Sequence, residues 1–441
     1  MYKIDAVVSI VCSTLLDPKL LEKSRRRKGA FTRNNGKLPF WTVMKLLLSN
    51  IKKTISATLD EFFTSLAKAA GIPLSEIPIC TQQAFSKARA GIDHTIFQEC
   101  FERVLDYLCS PNTHESVKRF GEACGVQIIG IDGSKIPLPN RKSLLAKYGG
   151  IGRDASSPTA LASIAFDVLN ERILEAEFET LDIDERTLAL RHLRNIRAKN
   201  RVDLTRAMFV FDRGYASQGM IDFFEKDLHS RYLFRLRDKF NVTIDHLPKP
   251  ENNGDIIDQK LELYPGTTVR VLRFYLSSGI LETLITNDFI QKKESFRELY
   301  FLRWPTEEEY KLIKVKVGLN CFRGYSENSI LQEFWISMLL TNIANVVKIE
   351  TDAIIEHETK HTGSPKKHNY KTNMNELVGA LSRHLPAYMD AETMHERLDV
   401  IKHIMRFLVC HRVVDKKGGG ESNPRLEPRK VKNHYNVRYT H

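Results

Sequence analysis

Val126-Gln127-Ile128-Ile129-Gly130-Ile131-Asp132-Gly133-Ser134-Lys135 is a short, mostly apolar run that stops on a carboxylate. It is too short for a buried helix and rich in β-branched residues, so it predicts a strand buried on both faces. Ala207-Met208-Phe209-Val210-Phe211-Asp212-Arg213-Gly214-Tyr215 follows the same plan: an apolar run, an aspartate, then a glycine-containing turn. A carboxylate at a strand's carboxyl end projects into the crevice where open α/β sheets keep their sites. A turn-forming Asp that accepts a hydrogen bond from a following amide has the same signature. Read one at a time, Asp132 and Asp212 leave both readings open.

Working outward, residues 161–169 and 172–178 predict two strands joined by the turn Asn170-Glu171, and a polar helix runs over 184–199. A helix starts near Ser217, and 232–236 is a further strand. The order β-β-β-α-β-α-β predicts an open mixed sheet carrying helices, a three-layer α/β arrangement. Residues 237–290 break that rhythm with short strands at 241–244, 261–263, 268–275 and 282–286, which reads as a β-rich insertion. The first 120 residues are mainly helical. Val43, Leu47, Ile51, Ile55, Leu59 and Phe62 recur at spacings of three or four, and a helical pair covers Thr81 to Arg89 and Ile96 to Leu108. Helices resume near Trp304 and run, with breaks, to about Leu408. Residues 356–371 read as a polar loop, and the chain from Lys416 as a flexible basic tail. The expected organisation is a helical domain over 1–120 and an α/β core over 121–325. A helical region over 326–412 and a tail over 413–441 complete it.

Lys and Arg total 66 against 54 Asp and Glu, a formal charge of +12 that suits a polyanionic partner. The seven cysteines include no Cys-X-X-Cys, which argues against a zinc module and for a reducing compartment. Phe334 to Val347, the longest apolar stretch, is interrupted by polar residues and too short to span a bilayer. A soluble, cytoplasmic protein is expected.

Tyr300-Phe301-Leu302-Arg303-Trp304-Pro305-Thr306-Glu307-Glu308-Glu309-Tyr310-Lys311-Leu312-Ile313-Lys314 supplies a third acidic element. At 100° per residue, Tyr300, Arg303, Glu307 and Lys314 fall within roughly 60° of one another. Pro305 is comfortable only in a helix's first turn, and a helix beginning near Trp304 would leave Tyr300 and Arg303 ahead of it. One anion for a metal, with two cations and a phenol for phosphate oxygens, suits a phosphodiester site. A solvated helix with chance charge spacing would look alike, and Glu308 and Glu309 would serve it equally well.

The segment Tyr300 to Lys314 resembles the Y-(2)-R-(3)-E-(6)-K signature of IS4-type DDE transposases, with its spacings met without adjustment. Asp132-Gly133-Ser134 is similar to that family's first-aspartate motif and Asp212-Arg213-Gly214-Tyr215 to its second. Phe31 to Asn34, Lys37 to Phe40 and Ala84 to Arg89 resemble its amino-terminal region. The resemblance implies an RNase H-like catalytic domain with the β-rich insertion, flanked by helices. It implies two Mg²⁺ ions, replaceable by Mn²⁺, bound between Asp132, Asp212 and Glu307. Such ions stabilise attacking and leaving oxygens in hydrolysis and in strand transfer.

Tyr300, Arg303 and Lys314 would hold phosphates by similarity. A surface ion pair explains Arg213 about as well as a phosphate contact, and a core position explains Trp304 better than base stacking. Arg25 to Lys28 and Lys87 to Arg89 would grip the terminal inverted repeats of double-stranded DNA, and two DNA ends call for a homodimer. Relatives that cut through a DNA hairpin use an aromatic wedge in the insertion. Here the insertion has no Trp, and Phe240, Tyr264, Phe274 and Tyr275 are candidates that packing would also explain. Two other readings stay open: a non-catalytic DNA-binding descendant of a transposase, and an RNase H-like nuclease or resolvase.

Overall fold

The apolar runs of the middle of the chain become strands of one sheet because each buries side chains on both faces. The computed structural model describes residues 2–31, 38–49, 54–69, 71–76, 79–110, 117–121, 125–252, 254–361 and 369–415. Two compact units contain them. One takes the described residues of Met1–Cys100, Lys316–Gly324 and Asn328–His441; the other takes Phe101–Val315 with Tyr325–Glu327.

The second unit is built on a nine-stranded sheet. Its strands are β1 (Gln127–Pro137), β2 (Gly150–Ile151), β3 (Ser157–Asp167), β4 (Arg172–Glu179) and β5 (Ala207–Phe211). They are followed by β6 (Arg231–Arg235), β7 (Ile257–Tyr264), β8 (Thr267–Tyr275) and β9 (Leu281–Thr286). The path runs β2-β3-β1-β5-β6-β9-β8-β7, with β4 on the other side of β3. β3 is antiparallel to β1, whereas β5 and β6 continue parallel to it. This mixed sheet with flanking helices is the α/β, RNase H-like class that the resemblance implies.

The Glu185–Lys199 helix is started by Asp184, whose carboxylate accepts from the Thr187 amide, and stopped by Asn200 in the left-handed region. Its Ala189, Leu193 and Ile196 share a core with Ile129 and Ile131 of β1. The opposite face of β1 carries Gly130, because successive residues of a strand alternate sides. A Cβ at Gly130 would lie 2.1 Å from Thr306 Oγ1. The missing side chain is what lets the Trp304–Lys311 helix lie directly on β1.

Three local expectations change. The strand expected at 241–244 is a short helix, Val242–Asp245, because the Asn241 side chain accepts from the Thr243 and Ile244 amides and caps it. The insertion's strands do not stand apart: β9 pairs with β6, so β7, β8 and β9 extend the main sheet. The polar stretch expected as a loop from Glu356 is the end of the Glu327–His361 helix, with Glu356 and Lys360 paired on its solvent side. Buried Ile355 anchors that last part.

In the other unit, Lys3–Leu16, Phe40–Leu48, Ile55–Ala69, Gln82–Arg89, Met374–Asp390 and Met394–Cys410 are helices. Ile51 lies outside the described residues. The Glu327–His361 helix is long and apolar enough to cross a membrane, but its most apolar window is 89% buried inside the protein, as in a core helix.

Gly130→Ala should destabilise the protein by about 1–3 kcal/mol through this clash. Thr306→Ala removes the clashing hydroxyl, which has no hydrogen-bond partner among the described residues. Urea denaturation should therefore find the double variant more stable than Gly130→Ala alone.

Candidate active site

Parallel pairing of β1 with β5 sets Gly130 opposite Val210. Asp132 and Asp212 each lie two residues further on, so both reach the same end of the two strands. β5 stops at Phe211 while β1 continues to Pro137, paired with β3 on its other edge. Asp132 thus sits where the edge of β1 facing β5 becomes open.

The strand around Asp132 is held from both sides. Its backbone carbonyl accepts from the Tyr310 hydroxyl at 2.9 Å and from the Ser163 hydroxyl at 3.2 Å. Tyr310 also reaches the Ala162 carbonyl at 3.1 Å, which ties the Trp304–Lys311 helix to β1 and β3. Behind Ser163 stands His192 Nε2 at 2.9 Å. Burial pushes the His192 pKa down to about 3, so the ring is neutral.

The Asp132 carboxylate accepts from the Gly133 amide at 2.9 Å. Its pKa is pushed up to about 6, first by burial. Glu185 and Glu307 add to the rise, while the Gly133 amide and Arg303 oppose it. Asp212 lies 3.4 Å from the Tyr300 hydroxyl and 3.7 Å from Arg235 Nη1. Arg235 also pairs with buried Glu282. Glu307 accepts from Arg303 at 2.6 Å, one helical turn away, and the Arg303 guanidinium lies 5.7 Å from the Tyr300 ring centre.

The expected single helical face is made from three segments. Tyr300 belongs to the helix Ser295–Phe301, Arg303 precedes the Trp304–Lys311 helix, and Lys314 lies in the wider π-helical stretch Leu312–Val317. Pro305 causes the break before Thr306, and Arg303, Glu307 and Tyr300 still converge. The Lys314 ammonium donates to the Ser134 hydroxyl, and the Lys135 carbonyl is 3.4 Å away. Burial lowers the Lys314 pKa and nearby Asp132 opposes that shift. Glu308 turns out to pair with exposed Lys311, and Glu309 is buried.

Other expectations divide. Arg213 is exposed and its charge is felt by Glu282. The Trp304 side chain and residues 32–37 lie outside the described residues. Phe274 is buried, and Phe240 and Tyr264 pack against the core, which favours packing over a wedge. Arg89 is not free to grip DNA: it is buried against Gln332 at 2.7 Å, Glu333 at 2.8 Å and the Ser329 carbonyl at 2.6 Å.

Sequence reading missed Arg235, Tyr310 and Glu185. Arg235 carried a signal, as a cation on an otherwise apolar strand. The other two stood among ordinary helical residues.

Oxygen donors of this kind suit a hard cation such as Mg²⁺, and a cation would offset the mutual repulsion of Asp132, Glu185 and Glu307. Among the described residues no three His, Cys, Asp or Glu side chains are already closed around one ion position. The donor chemistry fits; a shared ion needs the side chains to move closer.

Residues 125–343 match the family described as the transposase DDE domain. This segment is similar to a transposase DDE domain. It contains Asp132, Asp212 and the whole of Tyr300 to Lys314. No curated protein sequence matches the chain. Among solved structures, the chain is similar to a piggyBac transposase synaptic complex with hairpin DNA, at 10% identity and a TM-score of 0.45. That similarity covers 96% of this chain and 86% of the other. It is also similar to Marinitoga piezophila Argonaute in complex with 5′ OH guide RNA and target DNA, at 14% identity and a TM-score of 0.21. That similarity covers 51% of this chain and 35% of the other.

The raised Asp132 pKa has a pH signature. A carboxyl that holds its proton more tightly when folded contributes stability that is fully present below its ordinary value of 3.8 and lost as pH rises through about 6. Asp132→Asn keeps the oxygen that meets the Gly133 amide and removes the charge. In EDTA it should be more stable than the parent at pH 7, by up to about 3 kcal/mol, with the difference gone near pH 4. Urea denaturation at pH 4, 5, 6 and 7 measures this; a constant difference across that range would exclude it.

Proposed function

We propose that the chain is the DNA transposase of an insertion sequence, cutting at terminal inverted repeats and joining the 3′-hydroxyl ends to target DNA. Asp132, Asp212 and Glu307 are its catalytic carboxylates. The observation that carries this reading is that all three lie in the segment matching the transposase DDE domain. In-register parallel strands carry Asp132 and Asp212 at one end, and the helix seated on Gly130 carries Glu307, whose charge Asp132 feels.

Two divalent cations, Mg²⁺ or Mn²⁺, would supply charge neutralisation on the attacking and leaving oxygens of the phosphodiester. Asp132, Asp212 and Glu307 would hold them. Arg303 and Lys314, each now bound to a neighbour in the site, are placed to turn to phosphate oxygens. Arg213, next to Asp212 and exposed, can meet the DNA backbone. Tyr300 is buried and directed at Asp212, so its role is to donate a hydrogen bond rather than to form a covalent link to DNA. The net charge of +12 supports a DNA partner. Joining two ends requires two copies of the chain on DNA, in the nucleoid of a prokaryotic cytoplasm.

The DNA flanking the gene supplies the test substrate. With Mg²⁺ the protein should cleave that DNA and join its 3′ ends to a second duplex. Cleavage without joining would identify a nuclease or resolvase, and binding without cleavage a non-catalytic descendant. Glu307→Gln should lower cleavage at least about 100-fold while leaving DNA binding near the parent's. Glu308→Gln should remain active, since its carboxylate pairs with Lys311 on the surface. Equal activity of the two variants would remove Glu307 from the site.

A further inference from the structure

A fourth acid stands at the same end of β1 and the chemistry above does not use it. Glu185 opens the helix that follows Asp184. A Cβ at Gly133 would meet its Cγ at 2.9 Å and its Oε1 at 3.0 Å, so the Glu185 side chain fills the space that Gly133 leaves empty. Gly133 and Gly130 lie on opposite faces of β1. Glu185 therefore approaches the open strand edge from one face of the sheet, while the helix carrying Glu307 packs on the other. The negative charge of Glu185 is felt by Asp132, Tyr215 and Tyr310. A further acid beside a desolvated carboxylate is unfavourable unless a cation joins them.

Tyr215 is a second, independent sign. It is 1% exposed, and its hydroxyl has no hydrogen-bond partner among the described residues. The Gly133 amide beside it lies outside hydrogen-bonding geometry. Asp132, Glu185 and Asp212 all act on the phenol electrostatically, which places the hydroxyl toward the acids. Burial foremost, and then those acids, raise its pKa, so it remains a proton donor. A buried hydroxyl without a partner costs stability, and an ordered water among the acids would satisfy it.

Mg²⁺ usually keeps several of its waters and takes only one or two carboxylates directly. Resting on the function proposed above, we propose that Glu185 and Tyr215 form the wet side of the cation site at Asp132. Glu185 accepts hydrogen bonds from the cation's water ligands, and the Tyr215 hydroxyl fixes the orientation of one of them. Both are positioning residues acting through water. No bond is made or broken by either.

The test is Mn²⁺ binding to the full chain without DNA, followed by electron paramagnetic resonance of the free ion. Glu185→Gln should weaken binding about tenfold or more, as loss of an outer partner of a metal site does. Tyr215→Phe should weaken it less. In an Asp132→Asn background, Glu185→Gln should add no further loss. Metal-free melting shows whether each variant folds; if Glu185→Gln does not, Glu185→Asp replaces it, with an intermediate loss expected from its shorter reach. If Glu185→Gln binds Mn²⁺ like the parent while Asp132→Asn does not, the role of Glu185 is overturned and the carboxylate site stands. If Asp132→Asn also binds like the parent, the carboxylate site itself fails, and this inference with it.

Discussion

The site depends on a side chain that is absent. Gly130 lets the Trp304–Lys311 helix approach β1 so closely that Thr306 occupies the volume of a methyl group. Tyr310, one turn along, then reaches the carbonyls of Asp132 and Ala162. The same contact fixes the reach of Glu307, which lies between Thr306 and Tyr310 in sequence. The first carboxylate and the third are therefore not positioned independently. One helix fixes the backbone of Asp132 and carries Glu307, so a small tilt of that helix would move both.

Gathering acids at the end of a buried sheet has an electrostatic cost, and the chain distributes it unevenly. Arg303 holds Glu307, and Arg235 with Tyr300 attends Asp212. Among the described residues the Asp132 carboxylate accepts from the Gly133 amide, and its pKa rises. Burial sets that rise, so it follows from where the residue sits on the strand, and the other acids only add to it. A divalent cation would therefore offset the desolvation of the Asp132 charge. The arginines have the opposite relation to a cation. Each would release its carboxylate to an ion and would then have donors to offer a phosphate.

Much of the sheet was legible because strands have a simple code. Short β-branched runs ending in Asp, and the Asn170-Glu171 turn, mark β1, β3, β4 and β5 directly. Asn241 was misread because a run of Val, Thr and Ile suggests a strand, while one side chain accepting two amides nucleates a helical turn instead. The end of the Glu327–His361 helix was misread for a related reason. Its charged residues cover a solvated side, and the buried residue that anchors it, Ile355, comes before the polar run. Of the site, the parts that follow a spacing rule were legible: two strand-end aspartates and Tyr300, Arg303 and Glu307. Arg235, Tyr310 and Glu185 depend on which elements meet in space. Arg89 shows the converse, since a basic residue in a helical motif is taken up entirely by Gln332, Glu333 and Ser329.

Lys314 shows how much the local helix type matters. Regular α-helical steps of 100° would place it close to the line of Glu307 after seven residues. The chain instead widens into a π-helical stretch from Leu312, and each step there turns less than in an α-helix. Lys314 consequently lags behind the line of Glu307 and lies against Ser134 and Lys135 of β1. A uniform helix would have aligned the two charges on one face, two turns apart; here they also leave that common line. Glu307 is left to Arg303, and the ammonium meets the strand that carries Asp132. A phosphodiester lying along β1 could then meet a carboxylate and a cation at different points.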